Sequence, residues 1–92
     1  MIEAEYEVAS ELGLHARPAG ELAATANKFT SEISVTRADS TDPDDWISAR
    51  SVISLLGLAA TQGTRLRLRA EGADAEAALA ALGALLTRPH ES

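Results

Sequence analysis

The chain has 92 residues, eight Lys and Arg against fourteen Asp and Glu, and a formal net charge of −6. That length allows one core and one domain, and the acidic balance argues against attraction to nucleic acid or to an anionic membrane surface. A hydrophobic fraction of 46% with 24% charged residues is that of a self-folding chain, and the absence of cysteine excludes disulfides, thiolate metal sites and thiol nucleophiles.

Residues 2 to 8 alternate, Ile2, Ala4, Tyr6 and Val8 against Glu3, Glu5 and Glu7, which predicts a half-buried strand. After Glu11-Leu12-Gly13-Leu14 the spacing becomes helical, with Ala19, Leu22, Ala23, Ala26 and Phe29 at threes and fours, and predicts a helix from Ala16 to about Lys28. Pro18 fits its first turn, where the amide it lacks would have no intrahelical partner. Ile33 and Val35 mark a second strand, and the polar run Ala38 to Asp45 a loop. A third strand is expected over Trp46 to Ala49, with Ile47 and Ala49 inward. Ser51 offers a hydroxyl cap to a short helix in which Val52 and Leu55 are expected buried. Gly63 marks a turn before a fourth strand, where Leu66, Leu68 and Ala70 alternate with Arg65, Arg67 and Arg69. Asp74 is expected to cap a last helix with the stripe Ala75, Ala78, Leu79, Leu82, Leu85 and Leu86.

The expected fold class is α+β, an open-faced βαββαβα sandwich. One domain over 1–88 is followed by a short tail, 89–92. Strands that are polar on alternate positions suit a four-stranded antiparallel sheet with helices on one face and water on the other. Three Glu on the first strand and three Arg on the fourth predict that these two are neighbours. No basic stretch precedes an apolar one and no apolar run reaches the length of a bilayer span, so neither secretion nor membrane insertion is expected, and a cytoplasmic monomer is.

Two histidines are present. His90 belongs to the polar tail and reads as inert surface. His15 immediately precedes the first helix, where the first-turn amides lack partners and, with the helix dipole, form an anion site. A phosphoryl group carried on its imidazole would meet the amides at Ala16 and Arg17, and the Arg17 guanidinium can add paired donors. No metal cluster, cofactor motif or second general base accompanies it, so stand-alone catalysis is not expected.

Gly13-Leu14-His15-Ala16-Arg17-Pro18-Ala19 resembles the active-site signature of the HPr family, the histidine phosphocarriers of the bacterial phosphoenolpyruvate-dependent sugar phosphotransferase system. Ala49-Arg50-Ser51-Val52-Ile53, followed by Leu58 and Gln62-Gly63, resembles that family's second, serine-bearing signature. The resemblance spans nearly the whole chain. It implies that His15 accepts phosphate on Nδ1 from phospho-enzyme I and passes it to an enzyme IIA domain, with Arg17 assisting. It also implies that Ser51 is a site for a regulatory serine kinase. Two departures stand out: a longer Asp-rich loop, Asp39 to Asp45, and few basic residues near the centre beyond Arg17, Lys28 and Arg50. Docking is therefore expected to use an apolar patch of Gly20, Ile53 and Leu56 more than charge. A carrier for a nitrogen-related or dihydroxyacetone-kinase branch, or a binding module that transfers nothing, remain alternatives.

Overall fold

The computed structural model describes residues 1–88; the expected tail, with Pro89 and His90, lies outside them. In chain order the elements are β1 (Ile2–Glu7), α1 (Ala16–Ala26), β2 (Glu32–Arg37), β3 (Ile47–Ser48), α2 (Val52–Gly57), β4 (Arg65–Glu71) and α3 (Ala75–Thr87), with a single 3-10 turn at Pro43–Asp45. This is the βαββαβα order read from the sequence. The sheet runs β1-β4-β2-β3 and every neighbouring pair is antiparallel.

One face of the sheet is apolar. Ile33 and Val35 of β2 and Leu66, Leu68 and Ala70 of β4 are buried beneath the stripes of α1 (Ala19, Leu22, Ala23, Ala26) and α3 (Ala78, Leu79, Leu82, Leu86). Each fully buried leucine stabilises the fold by about 1.5–3 kcal/mol relative to exposure, so this layer supplies most of what a chain this small can gain. Close approach matters too: α3 crosses the Tyr6 ring at Gly83, where a Cβ would overlap the ring. Ile2 departs from the inward set at 39% exposure, since it begins an edge strand.

The other face carries the charges. β1 and β4 pair in the register Glu3↔Arg69, Glu5↔Arg67, Glu7↔Arg65, as the alternating charges predicted. The ion pairs are mostly diagonal: Arg65 binds Glu5 and lies 3.6 Å from Glu7, and Arg67 reaches Glu3 at 3.2 Å. Long side chains span such diagonals readily. Arg69 is left over, and it stacks 4.1 Å from the Trp46 ring centroid, with Arg67 at 5.3 Å.

Several expectations are corrected. Helix α1 stops at Ala26, two residues short of Lys28, because the Asn27 side-chain amide donates to the Ala23 carbonyl and closes the last turn. Strand β3 is only Ile47–Ser48: Trp46 is drawn onto the arginines, and the chain turns through Arg50 N–H to Ser48 Oγ into the next helix. Ala49 is nonetheless buried, as expected. Val52 is exposed, at 37%, because the six-residue α2 presents only Leu55 to the core. Asp74 occupies the cap position of α3 but makes no cap bond. Its carboxylate instead accepts from the Thr30 and Ser31 amides, both at 2.9 Å, and from the Ser31 hydroxyl, fastening the α1–β2 turn to the start of α3.

The Ser31 hydroxyl, and after it the Thr30 amide, lower the Asp74 pKa from an ordinary 3.8 to about 2. A carboxyl depressed on folding stabilises the native state above its unfolded value and loses that contribution as pH falls through its folded value. Asp74→Asn should therefore lower the urea midpoint at neutral pH. The gap from the parent protein should close as pH falls from about 4 to about 2, read by urea titrations across that range.

Candidate functional site

His15 is the residue that caps α1. Its backbone is extended (φ −86°, ψ −173°), its carbonyl accepts the Ala19 N–H at 3.0 Å, and its ring makes no cap bond. The next two residues, Ala16 and Arg17, are exposed, and among the described residues their amides have no partner. Pro18, third in the helix, contributes no N–H and is buried. Two backbone donors are thus left at the positive end of an eleven-residue helix. The imidazole is half-buried, with Nε2 enclosed and without a hydrogen-bond partner among the described residues.

What holds this histidine in place lies in the preceding loop and in the turn after α2. Gly13 has φ +71°, and a Cβ there would overlap the carbonyl oxygen of Ala60 and the Cα of Thr61. Leu14 is buried in the core, and its amide donates to the Ala60 carbonyl at 2.9 Å. The Gln62 side-chain amide adds a bond to the Ala9 carbonyl at 3.2 Å. The histidine loop is seated on the Ala60–Thr61 backbone, and at Gly13 that seat has no room for a methyl group. The sequence marked Gln62-Gly63 as part of a motif but gave no sign that Ala60 would support Leu14.

Of the seven arginines, Arg17 is the one whose guanidinium makes no hydrogen bond, ion pair or ring contact among the described residues. The other two basic residues expected near the centre are elsewhere. Lys28 lies beyond the far end of α1, whose eleven residues span roughly 16 Å at 1.5 Å per residue. Arg50 donates to the carbonyls of Phe29, at 2.8 Å, and Ser31, at 3.1 Å. Both are consequences of direction: Arg50 ties the start of α2 to the end of α1, and Leu14 ties the end of α2 to the start of α1, so the two helices run antiparallel.

That arrangement also sorts the remaining expected residues. Ser51 caps α2 with its hydroxyl, accepting the Ser54 N–H at 3.1 Å, at the end of the helix remote from His15. Ile53 is 84% exposed and Leu56 40%. Gly20, on α1, has open space where a Cβ would stand. With Val52 and with Leu12 of the histidine loop, at 57% exposure, more apolar surface is presented than the sequence suggested. A cleft of about 420 Å³ opens between the Asp-rich loop and α2, walled by Arg37, Asp44, Asp45 and Ser54, with neither His15 nor Arg17 in its lining.

A fold of this order with a histidine at the open start of the first helix is that of a small phosphoryl-carrying domain. Residues 2–88 match the family model described as the PTS HPr component phosphorylation site. The chain is 44% identical over 88 residues to a phosphocarrier protein HPr of Haloferax volcanii, with 96% of each covered. It is 43% identical over 83 residues to a multiphosphoryl transfer protein of Escherichia coli O157:H7, covering 90% of this chain and 22% of that one. Among solved structures it resembles HPr-C-His from Thermoanaerobacter tengcongensis, with a TM-score of 0.82, 37% identity and coverage of 94% and 91%. The chain belongs to the HPr family, the phosphocarriers of the phosphotransferase system.

Two glycines of the site separate under substitution. Gly13→Ala should lower unfolding free energy by about 2 kcal/mol or more, from the positive φ together with overlap against the Ala60–Thr61 backbone. Gly20→Ala, in open space within a helix, should raise it by about 0.5–1 kcal/mol. Denaturant midpoints of the two variants check both.

Proposed function

We propose that His15 accepts a phosphoryl group on Nδ1 from phospho-enzyme I and passes it to enzyme IIA in a phosphoenolpyruvate-dependent sugar phosphotransferase system. The observation that carries this reading is the start of α1: an imidazole beside two unpartnered amides and an uncommitted guanidinium, those of Ala16 and Arg17. Nε2 is the enclosed ring nitrogen, which leaves Nδ1 for the incoming group. In the transfer the Nδ1–P bond forms as the bond from phosphorus to the donor's carrier atom breaks, and the ring proton stays on Nε2. The amides and Arg17 receive charge on the equatorial oxygens. An open helix end holds the group and still leaves it exposed to in-line attack by the next acceptor.

The single 1–88 domain is the carrier unit, acting in the cytoplasm as a monomer. Gly20, Ile53 and Leu56 form the partner-binding patch, since apolar surface of this kind beside a reactive centre is what a transient protein partner covers. Ser51 is the candidate for regulatory phosphorylation by a serine kinase. Sited at the far end of α2, a phosphate there would act by adding charge at the edge of that patch, not by touching His15.

Incubation with phosphoenolpyruvate and enzyme I should add one acid-labile, base-stable phosphate, located on His15 by mass spectrometry and absent from His15→Ala. Labelling that persists in that variant overturns the assignment. Arg17→Ala should keep its thermal midpoint and slow transfer by about 10- to 100-fold, the loss expected when a charge-assisted hydrogen bond to the moving group is removed. Stopped-flow or quench assays of transfer read this directly.

A further inference from the structure

We propose that Arg37 is a positioning residue for His15, acting from the end of β2 through the turn Leu58–Ala60. The inference rests on His15 as the phosphoryl acceptor. Arg37 pairs with Leu66 in the sheet register and so begins on the face that the helices cover. A guanidinium has no place in that core, and at the strand's end it finds the end of α2. Nη1 donates to the carbonyls of Leu58, at 3.1 Å, and Ala59, at 3.2 Å, while Nε bonds Asp39 at 3.2 Å. A cation is favoured at a helix C-terminus, where carbonyls lack intrahelical partners.

Ala59 makes this contact consequential. With φ +53° it is the one non-glycine residue in the left-handed region among the described residues, a conformation that its Cβ disfavours. Ala59 is exposed, so no burial of its own side chain holds it there. Its carbonyl and the one before it are held by Arg37, and the one after it, Ala60, accepts the Leu14 amide at 2.9 Å. Gly13 packs on that same carbonyl. Relaxation of Ala59 toward an ordinary φ would swing the Ala60 carbonyl away from Leu14, and His15 follows Leu14 directly. The guanidinium thus fixes a disfavoured turn, and the turn fixes the two residues before the histidine.

The test compares the parent protein with Arg37→Ala, Ala59→Gly and the double variant. The readouts are amide hydrogen exchange at Leu14 and the rate of His15 phosphorylation from phosphoenolpyruvate and enzyme I. Arg37→Ala should speed Leu14 exchange by about tenfold and slow phosphorylation by about fivefold, the scale of a lost hydrogen-bonded anchor. Ala59→Gly in the same background should restore both to within about twofold of the parent, because glycine adopts the positive φ unaided. Unchanged Leu14 exchange in Arg37→Ala, or losses that Ala59→Gly does not recover, overturns the proposal. A parent protein that takes no phosphate would instead overturn the carrier reading, and the exchange measurement would still decide the role of Arg37.

Discussion

The hydrogen bond from the Leu14 amide to the Ala60 carbonyl is the contact on which the rest of the site depends. A helix start can serve as an anion site only if its first amides are left without partners, and the loop leading into it then gains no stability from capping. Here His15 supplies no side-chain cap and Pro18 supplies no amide. The entry to α1 must be fixed from outside the helix, and the Ala60 carbonyl does this from the turn between α2 and β4. Gly13 against Ala60–Thr61 and Leu14 in the core complete the seat. The openness of the helix end and the rigidity of its approach are two sides of one arrangement.

The distribution of arginines follows the same division. On the open sheet face Arg65 and Arg67 pair with β1 glutamates and Arg69 stacks on Trp46. Arg50 and Arg37 bind backbone carbonyls that lie after α1 and after α2, and Arg88 pairs with Glu21 at 2.9 Å. Guanidinium groups with several donors in a fixed fork suit such structural duties, because each can satisfy more than one acceptor at once. A chain with net charge −6 therefore presents little free positive charge, and Arg17 is left beside His15 where an incoming anion would be met.

Much of the fold was legible because the informative residues lie on regular faces. Alternation in Ile2–Val8 and Arg65–Ala70 defined the two strands, and their opposite charges defined the pairing that the register confirms. The α3 stripe was legible down to its partly buried Leu85. The place of His15 and Arg17 at the start of the first helix was legible as well. What escaped were features decided by contacts distant in sequence. Asp74 looks like a helix cap, but it binds Thr30 and Ser31, more than forty residues away. Val52 looks like core, but a six-residue helix can bury only one side, and Leu55 takes it. Arg50 beside a serine motif looks like part of a basic centre until the antiparallel course of α1 and α2 carries it to the opposite end. No local pattern marks Ala59 as left-handed or Ala60 as an acceptor for Leu14.

The antiparallel course of α1 and α2 also separates two kinds of chemistry on one small surface. His15 and the open start of α1 lie at the end of α2; the Ser51 cap lies at the other end of α2, beside the carbonyls that Arg50 holds. Helix α2 is six residues long, roughly 9 Å at 1.5 Å per residue, a distance about equal to one Debye length at physiological ionic strength. Charge introduced at Ser51 would therefore be weakened at the imidazole, yet it would stand directly at the border of Val52 and Ile53. A partner covering those side chains excludes the water that provides the screening, so the added charge is felt most when the patch is covered. The geometry thus allows occupancy of the patch to be altered with little change in the histidine's own environment, since the α2 helix both separates the two positions and carries the apolar residues between them.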